Sequence, residues 1–250
     1  MATIDEVVNQ IGNTPIFYLK FTSQLNYAED ILRGELYANT PEFFRLQEEK
    51  SGERGQGDKN ELIYDMPLIG LKLYDKNTNK LVLTLEKASA KLNHAEDAII
   101  PIVSFVGIPL KDMNCKKLQD GNTVLEFPFT EEQYATMKEK FGKYCVILLG
   151  NSLMERLKEL NKTVSLDFRA VKYVVSNSYE KAKAHFDKSI DRFFFKDEDL
   201  SYQHEYRLVV FDTMPFDHKI RITPFKENEA FVIDTDSIKN IKISYVGSTN

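Results

Sequence analysis

The period of the apolar positions changes repeatedly along the chain, and those changes mark its elements. Thr3 and Glu6 stand at capping-box spacing with Gly12 and Pro15 as stop signals, which predicts a short helix over residues 4–11. The run IFYLKF, residues 16–21, is rich in aromatic and branched side chains and reads as a strand. Ser23 can cap the stretch that follows, where Leu25, Ala28, Ile31 and Leu32 share a helical face before Gly34. A second short strand is expected over Glu35–Asn39. Thr40 as N-cap and Pro41 at the first helical position then open a helix to about Lys50.

Residues 51–60, SGERGQGDKN, have loop chemistry. The runs LIGLKLYD and KLVLTLE flank Lys76–Asn79 and predict a hairpin. The apolar run AIIPIVSFVGI, residues 98–108, predicts a buried strand, within which Pro101 limits pairing because it has no N–H to donate. Thr130 with Gln133, and Ser152 with Glu155, are two more capping boxes, one on either side of the strand KYCVILL at 143–149. The last third alternates: FRAVKYVV as strand, SYEKAKAHF as helix, then YRLVVF, KIRIT, EAFVID and IKISYVG as strands. About ten strands and five helices in mixed order predict an α+β fold with mixed, mostly antiparallel sheets and peripheral helices. With no internal repeat, no Gly/Pro/Ser-rich linker and no shift in composition, residues 1–250 are expected to form a single domain.

Composition narrows the function classes. The chain has 33 basic and 38 acidic side chains and a formal charge of −5, which argues against broad nucleic-acid binding, since such affinity scales with clustered Lys and Arg. Lys20, Arg45, Arg54 and Arg207 are local basic residues, so an anionic ligand stays open. Cys115 and Cys145 have neither zinc-ligand nor disulfide-framework spacing, and reduced thiols are expected. Asp5 and Glu6 stand where a signal peptide would be basic, and no apolar run approaches the roughly 18–20 residues of a membrane span; a cytoplasmic location without membrane contact is expected. There is no GxGxxG, phosphate-loop, HExxH or GxSxG motif. His94, His185, His204 and His218 are scattered and read as surface or structural residues, and no metal is expected.

Three stretches carry candidate chemistry. In Tyr18–Ser23, alternation puts Tyr18, Lys20 and Thr22 on one face and Leu19 and Phe21 on the other, which is either a cleft wall or a half-exposed edge strand. In Arg54–Glu61, glycines allow main-chain amides to converge on an anion, with Arg54 and Gln56 at hand. Asp58 and Glu61 could orient a basic partner or hold a cation; a solvated connecting loop explains the same letters. In Tyr202–Arg207, Gln203 and Glu205 are two apart and expected to face one side, where a carboxylate could stabilise a developing cation. A structural ion pair of Glu205 with Arg207 or Lys20 is the alternative.

In this order the stretches resemble a bacterial and phage family labelled domain of unknown function 2971. The resemblance rests on Phe17–Ser23, Ala28, Ile31-Leu32, Gly34, Leu36, Thr40-Pro41, Phe43–Arg45, Gly57–Glu61 and Gln203–Arg207. The opening unit, a strand ending Lys-Phe-Thr-Ser, a helix with Ile-Leu-x-Gly and a strand, is also similar to the start of the ADP-ribosyltransferase fold. There a His or Arg on the first strand grips the cofactor, a Ser, Thr or Tyr on a second strand packs the nicotinamide, and a late-strand Glu completes the site. The resemblance implies an ADP-ribosyltransferase-like core that acts on NAD or a nucleotide-derived small molecule in phage–host conflict, with a small or macromolecular acceptor. It places Lys20 first, Ser104 second and Glu205 last, Gln203 orienting the acceptor, and Tyr18, Thr22 and Arg207 alongside. Lys20 departs from the pattern, being a flexible point charge where a ring or planar fork is expected. A non-catalytic module that sequesters a ligand or protein, and a metal-dependent nuclease or RNA-modifying enzyme using Asp58 and Glu61, are the alternatives.

Overall fold

A computed structural model describes residues 12–52, 57–117 and 123–245. The helix expected over residues 4–11 lies outside the described residues. The fold is mixed α+β, and among the described residues its strand pairs are antiparallel except for Lys172–Val174 with Phe195–Asp197. The helices are α1 (Leu25–Leu32), α2 (Pro41–Ser51), α3 (Glu131–Phe141), α4 (Gly150–Leu160) and α5 (Tyr179–Phe186). The sequence reading treats the chain as one domain; its contacts gather into two compact units. Unit 1 comprises the chain up to Asn39, Pro101–Ala170 and the chain from Tyr202. Unit 2 comprises Thr40–Ile100 and Val171–Ser201.

Unit 1 is organised by a six-stranded sheet. Its strands are β1 (Pro15–Thr22), β2 (Ile102–Pro109), β3 (Tyr144–Leu149), β4 (Leu166–Ala170), β5 (Glu205–Val210) and β6 (Ala230–Asp234), in spatial order β6-β3-β1-β2-β5-β4. Both faces of this sheet are buried. Tyr18, Val103, Phe105, Val146, Leu148 and Leu208 pack on one side with Ala28 and Ile31 of α1 and Leu153 and Leu157 of α4. Leu19, Val106, Ile108, Cys145 and Ile147 pack on the other with Met137 of α3 and Phe127. Burial on both faces explains why β2 and β3 read as unbroken apolar runs rather than alternating ones. It also removes the edge-strand reading of β1, which is third in the sheet.

Local chemistry is met at several ends and missed at others. Thr40 Oγ1 accepts from Phe43 N and caps α2, and Thr130 and Gln133 form the expected box on α3. The Ser152–Glu155 box does not form, because α4 starts two residues earlier at Gly150. Ser23 does not cap α1 either; Gln24 is its N-cap residue and makes no side-chain bond. FRAVKYVV is not one strand: Leu166–Ala170 pairs with β5 and Lys172–Val174 with Phe195–Asp197, so Val171 separates two runs with different partners.

In unit 2, Tyr64–Tyr74 and Leu81–Leu92 form the predicted hairpin. Asp75 Oδ1 closes its turn by accepting from the N–H groups of Asn77 and Thr78.

Candidate functional site

The central strands part at a defined rung. β1 and β2 pair from Pro15 opposite Pro109 to Leu19 opposite Val106, and their ladder stops there. β1 continues to Thr22 on β3 alone, while β2 continues to Ile102 on β5. On the side β1 has left, Ile102 is bonded by Asn39 through both main-chain groups, at 3.0 and 2.8 Å. Alternate residues of a strand turn their main-chain groups to the same side. Ser104, midway between Ile102 and Val106, therefore faces the interval. Lys20 reaches into it: its Nζ donates to Ser104 O at 2.7 Å and lies 5.5 Å from the Phe105 ring centroid.

Ser104 also links to β5. Its hydroxyl donates to Glu205 Oε1 at 2.6 Å, and Arg207 Nε donates to the same oxygen at 2.9 Å. Glu205 and Arg207 are almost fully buried. Arg207 stands opposite Arg169, which pairs with Asp167 at 3.1 Å, so two like charges on facing rungs each have an acid nearby. Registers locate the faces. Glu205 lies opposite Val106 and so leaves the sheet on the Leu19 side, whereas Lys20 leaves on the Tyr18 side. Ser104 connects them, its carbonyl taking Lys20 and its hydroxyl reaching Glu205. Burial pulls the Lys20 amine down to about 8, against the opposing pull of Glu205.

Other predicted residues take different places. Tyr18 is a core residue, 2% exposed, with its ring 5.1–6.3 Å from those of Phe168, Tyr206 and Phe105, and burial raises its hydroxyl pKa. Gly107 makes room for that cluster, since a Cβ there would stand 2.1 Å from the Tyr206 ring. Thr22 Oγ1 donates to Gln24 O at 3.0 Å and closes the turn into α1. Gln203 does not share a strand face with Glu205. β5 begins at Glu205, and His204, with φ of +44°, breaks the alternation between them. His204 is anchored there, its carbonyl accepting from Gly107 N at 3.0 Å and its ring 5.8 Å from Phe129. Sequence reading missed Asp167, Arg169 and this turn; the polar alternation in LDFRA carries a signal for the first two.

Asp58 belongs to unit 2, and Arg54 and Gln56 lie outside the described residues. The segment from Gly57 to Glu61 is no solvated loop: Asp58 and Glu61 are buried, and Arg45 donates to Glu61 O at 3.0 Å. Asn60 Nδ2 donates to Asp197 Oδ2 at 3.1 Å, and the other Asp197 oxygen accepts from Ser176 at 2.9 Å and Lys181 at 3.4 Å. Burial, reinforced by Glu61, raises the Asp58 carboxyl to about 6. Among the described residues no group of three or more His, Cys, Asp or Glu could hold a metal ion, and no helix is long and apolar enough to cross a membrane. A cleft of about 260 Å³ in unit 2, between Lys172, Tyr179, Lys183 and Phe195, includes none of the predicted site residues.

Compared with known proteins, the chain matches no family model, no curated protein and no solved structure.

Proposed function

We propose that unit 1 is an ADP-ribosyltransferase-like unit that takes NAD or another nucleotide-derived ligand where β1 and β2 part. The observation that supports this reading is the placement of Lys20 on the first strand of the sheet, Ser104 on the second and Glu205 at the start of the fifth, joined through Ser104. Lys20 would hold a phosphate or ribose oxygen, exchanging its bond to Ser104 O for one to the ligand. Ser104 would pack the nicotinamide end. Glu205 would face the ribose carbon as the bond to nicotinamide breaks and the acceptor attacks, the acceptor proton passing to solvent. A carboxylate facing an oxocarbenium-like centre contributes about 3–4 kcal/mol to its stabilisation.

A second reading rests on its own observation. Glu205 already accepts from Ser104 and Arg207, and it leaves the sheet on the face opposite to Lys20. Such a carboxylate suits a binding module in which Lys20 provides the affinity and no bond is broken. Nicotinamide release from NAD, compared between wild type and Glu205→Gln, separates the two. The catalytic reading expects a fall of about 10²–10³-fold in a variant that circular dichroism shows to be folded at the assay temperature. Equal rates exclude Glu205 from catalysis, and NAD-dependent thermal stabilisation without turnover establishes the binding module.

A further inference from the structure

We infer that Tyr37, Asn39 and His218 of unit 1 form a ring-binding wall of the site where β1 and β2 part. A planar base of the ligand lies on Tyr37, backed by His218, and one of its N–H groups donates to Asn39 Oδ1. The inference rests on the ligand reading given above and deepens it. In the segment Glu35–Asn39, Leu36 and Ala38 enter the core cluster that holds Tyr18 and Phe105. Tyr37 and Asn39 therefore share the other side, about 6.5 Å apart along the chain. Asn39 stands opposite Ile102 in an isolated antiparallel bridge, and directly opposed residues share a sheet face. Its side chain thus leaves on the face of Ile102, Ser104 and Glu205, with Ser104 as a diagonal neighbour at about 7–8 Å. Because the bridge is antiparallel, the chain running back from Asn39 to Tyr37 heads toward the Ser104 end of β2.

Two independent observations point to a ring with a donor. Tyr37 is 52% exposed, and His218 stacks on it with centroids 5.7 Å apart and planes 17° from parallel. His218 is fixed in that position: its carbonyl accepts from Ala38 N at 2.8 Å, and its φ of +59° is a conformation that persists only where the surroundings enforce it. Asn39 supplies the second observation. The residue is half-buried, and its Oδ1 is shielded from water and takes no hydrogen bond among the described residues. A shielded acceptor without a donor is costly to keep, and the broad terminal torsion of an asparagine amide lets it turn that oxygen to an incoming N–H. Stacking on an aromatic side chain accepts any base, while an acceptor beside it selects a ring that carries an amino or amide group. NAD has two such groups, the 6-amino group of adenine and the carboxamide of nicotinamide.

The test is calorimetric titration of NAD, its hypoxanthine analogue and its nicotinic acid analogue into the full chain and its variants, each shown to be folded by circular dichroism. Tyr37→Ala should weaken NAD binding about tenfold or more, and Tyr37→Phe, which keeps the ring, should bind as wild type does. Asn39→Leu should weaken NAD binding about three- to tenfold. That penalty should vanish for the analogue that lacks the bonded N–H: the hypoxanthine analogue where adenine is the ring, the nicotinic acid analogue where nicotinamide is. An Asn39→Leu penalty equal for all three ligands overturns the inference, as does a Tyr37→Phe variant that binds as weakly as Tyr37→Ala. NAD binding that is lost in Lys20→Met but equal in wild type, Tyr37→Ala and Asn39→Leu overturns the wall and leaves the underlying site standing. No NAD binding by wild type overturns both.

Discussion

Unit 1 buries Glu205 against Arg207 inside a sheet, and unit 2 buries Asp197 against Lys181 among loops and a short parallel pair. The two pairs use the same kinds of side chain at similar burial, yet their settings differ. In unit 2 the partners are side chains that tie segments together: Asn60, Ser176 and Lys181 all converge on Asp197. In unit 1 the network instead extends, through half-buried Ser104, to a place where two central strands have separated and a lysine supplies a bond that a neighbouring strand ordinarily would. Burial of charge is common to both regions; interruption of the main-chain ladder beside it is what distinguishes the proposed site.

The largest expected effect lies in unit 2. Asp197→Ala leaves Lys181 as a buried charge without its carboxylate and should cost about 3–5 kcal/mol in urea unfolding. Ser104→Ala, which removes one hydrogen bond to a carboxylate at a half-buried position, should cost less, about 1.5–3 kcal/mol. If the order were reversed, unit 1 would hold the structural staple and the contrast would fail.

Acidity sharpens the contrast, because the two regions respond in different windows. The folded pKa of Asp58, about 6, lies above its ordinary 3.8, so the native state holds more protons than the unfolded chain between those values. Wild-type stability relative to Asp58→Asn should fall as pH rises from about 4 to about 6 and then level off. The folded pKa of Lys20, about 8, lies below its ordinary 10.5, so the unfolded chain holds more protons in that interval. Wild-type stability relative to Lys20→Met should rise from about pH 8 to about 10.5 and be flat below. Melting temperatures across pH for the two pairs would check both, and coincident windows would remove the distinction.

Much of this was legible in residue order, for physical reasons. Strands β2 and β3 announce themselves as apolar runs because both faces are covered, and the Thr40 and Thr130 caps are local hydrogen bonds that a few adjacent residues specify. The residues of the site were legible as polar positions on strands. Their relation was not. Lys20 meets Ser104 across 84 positions of chain, and the missing rungs that bring them together are a property of pairing, which no local pattern encodes. The expected Gln203–Glu205 face failed because a single residue, His204, takes a left-handed conformation where alternation assumes an extended one. The segment around Asp58 read as solvated because the groups that hold it are not its neighbours in sequence: Arg45 bonds Glu61 O from 16 positions away and Asp197 takes Asn60 from 137.

The central claim is that a ligand enters where β1 and β2 part and not at the other buried network. Calorimetric titration of NAD into wild type, Lys20→Met and Asp58→Asn at neutral pH tests it most directly. The account predicts binding to wild type, a loss of about tenfold or more in Lys20→Met, and unchanged affinity in Asp58→Asn. Absence of NAD binding to wild type, or equal affinity in wild type and Lys20→Met, would contradict it.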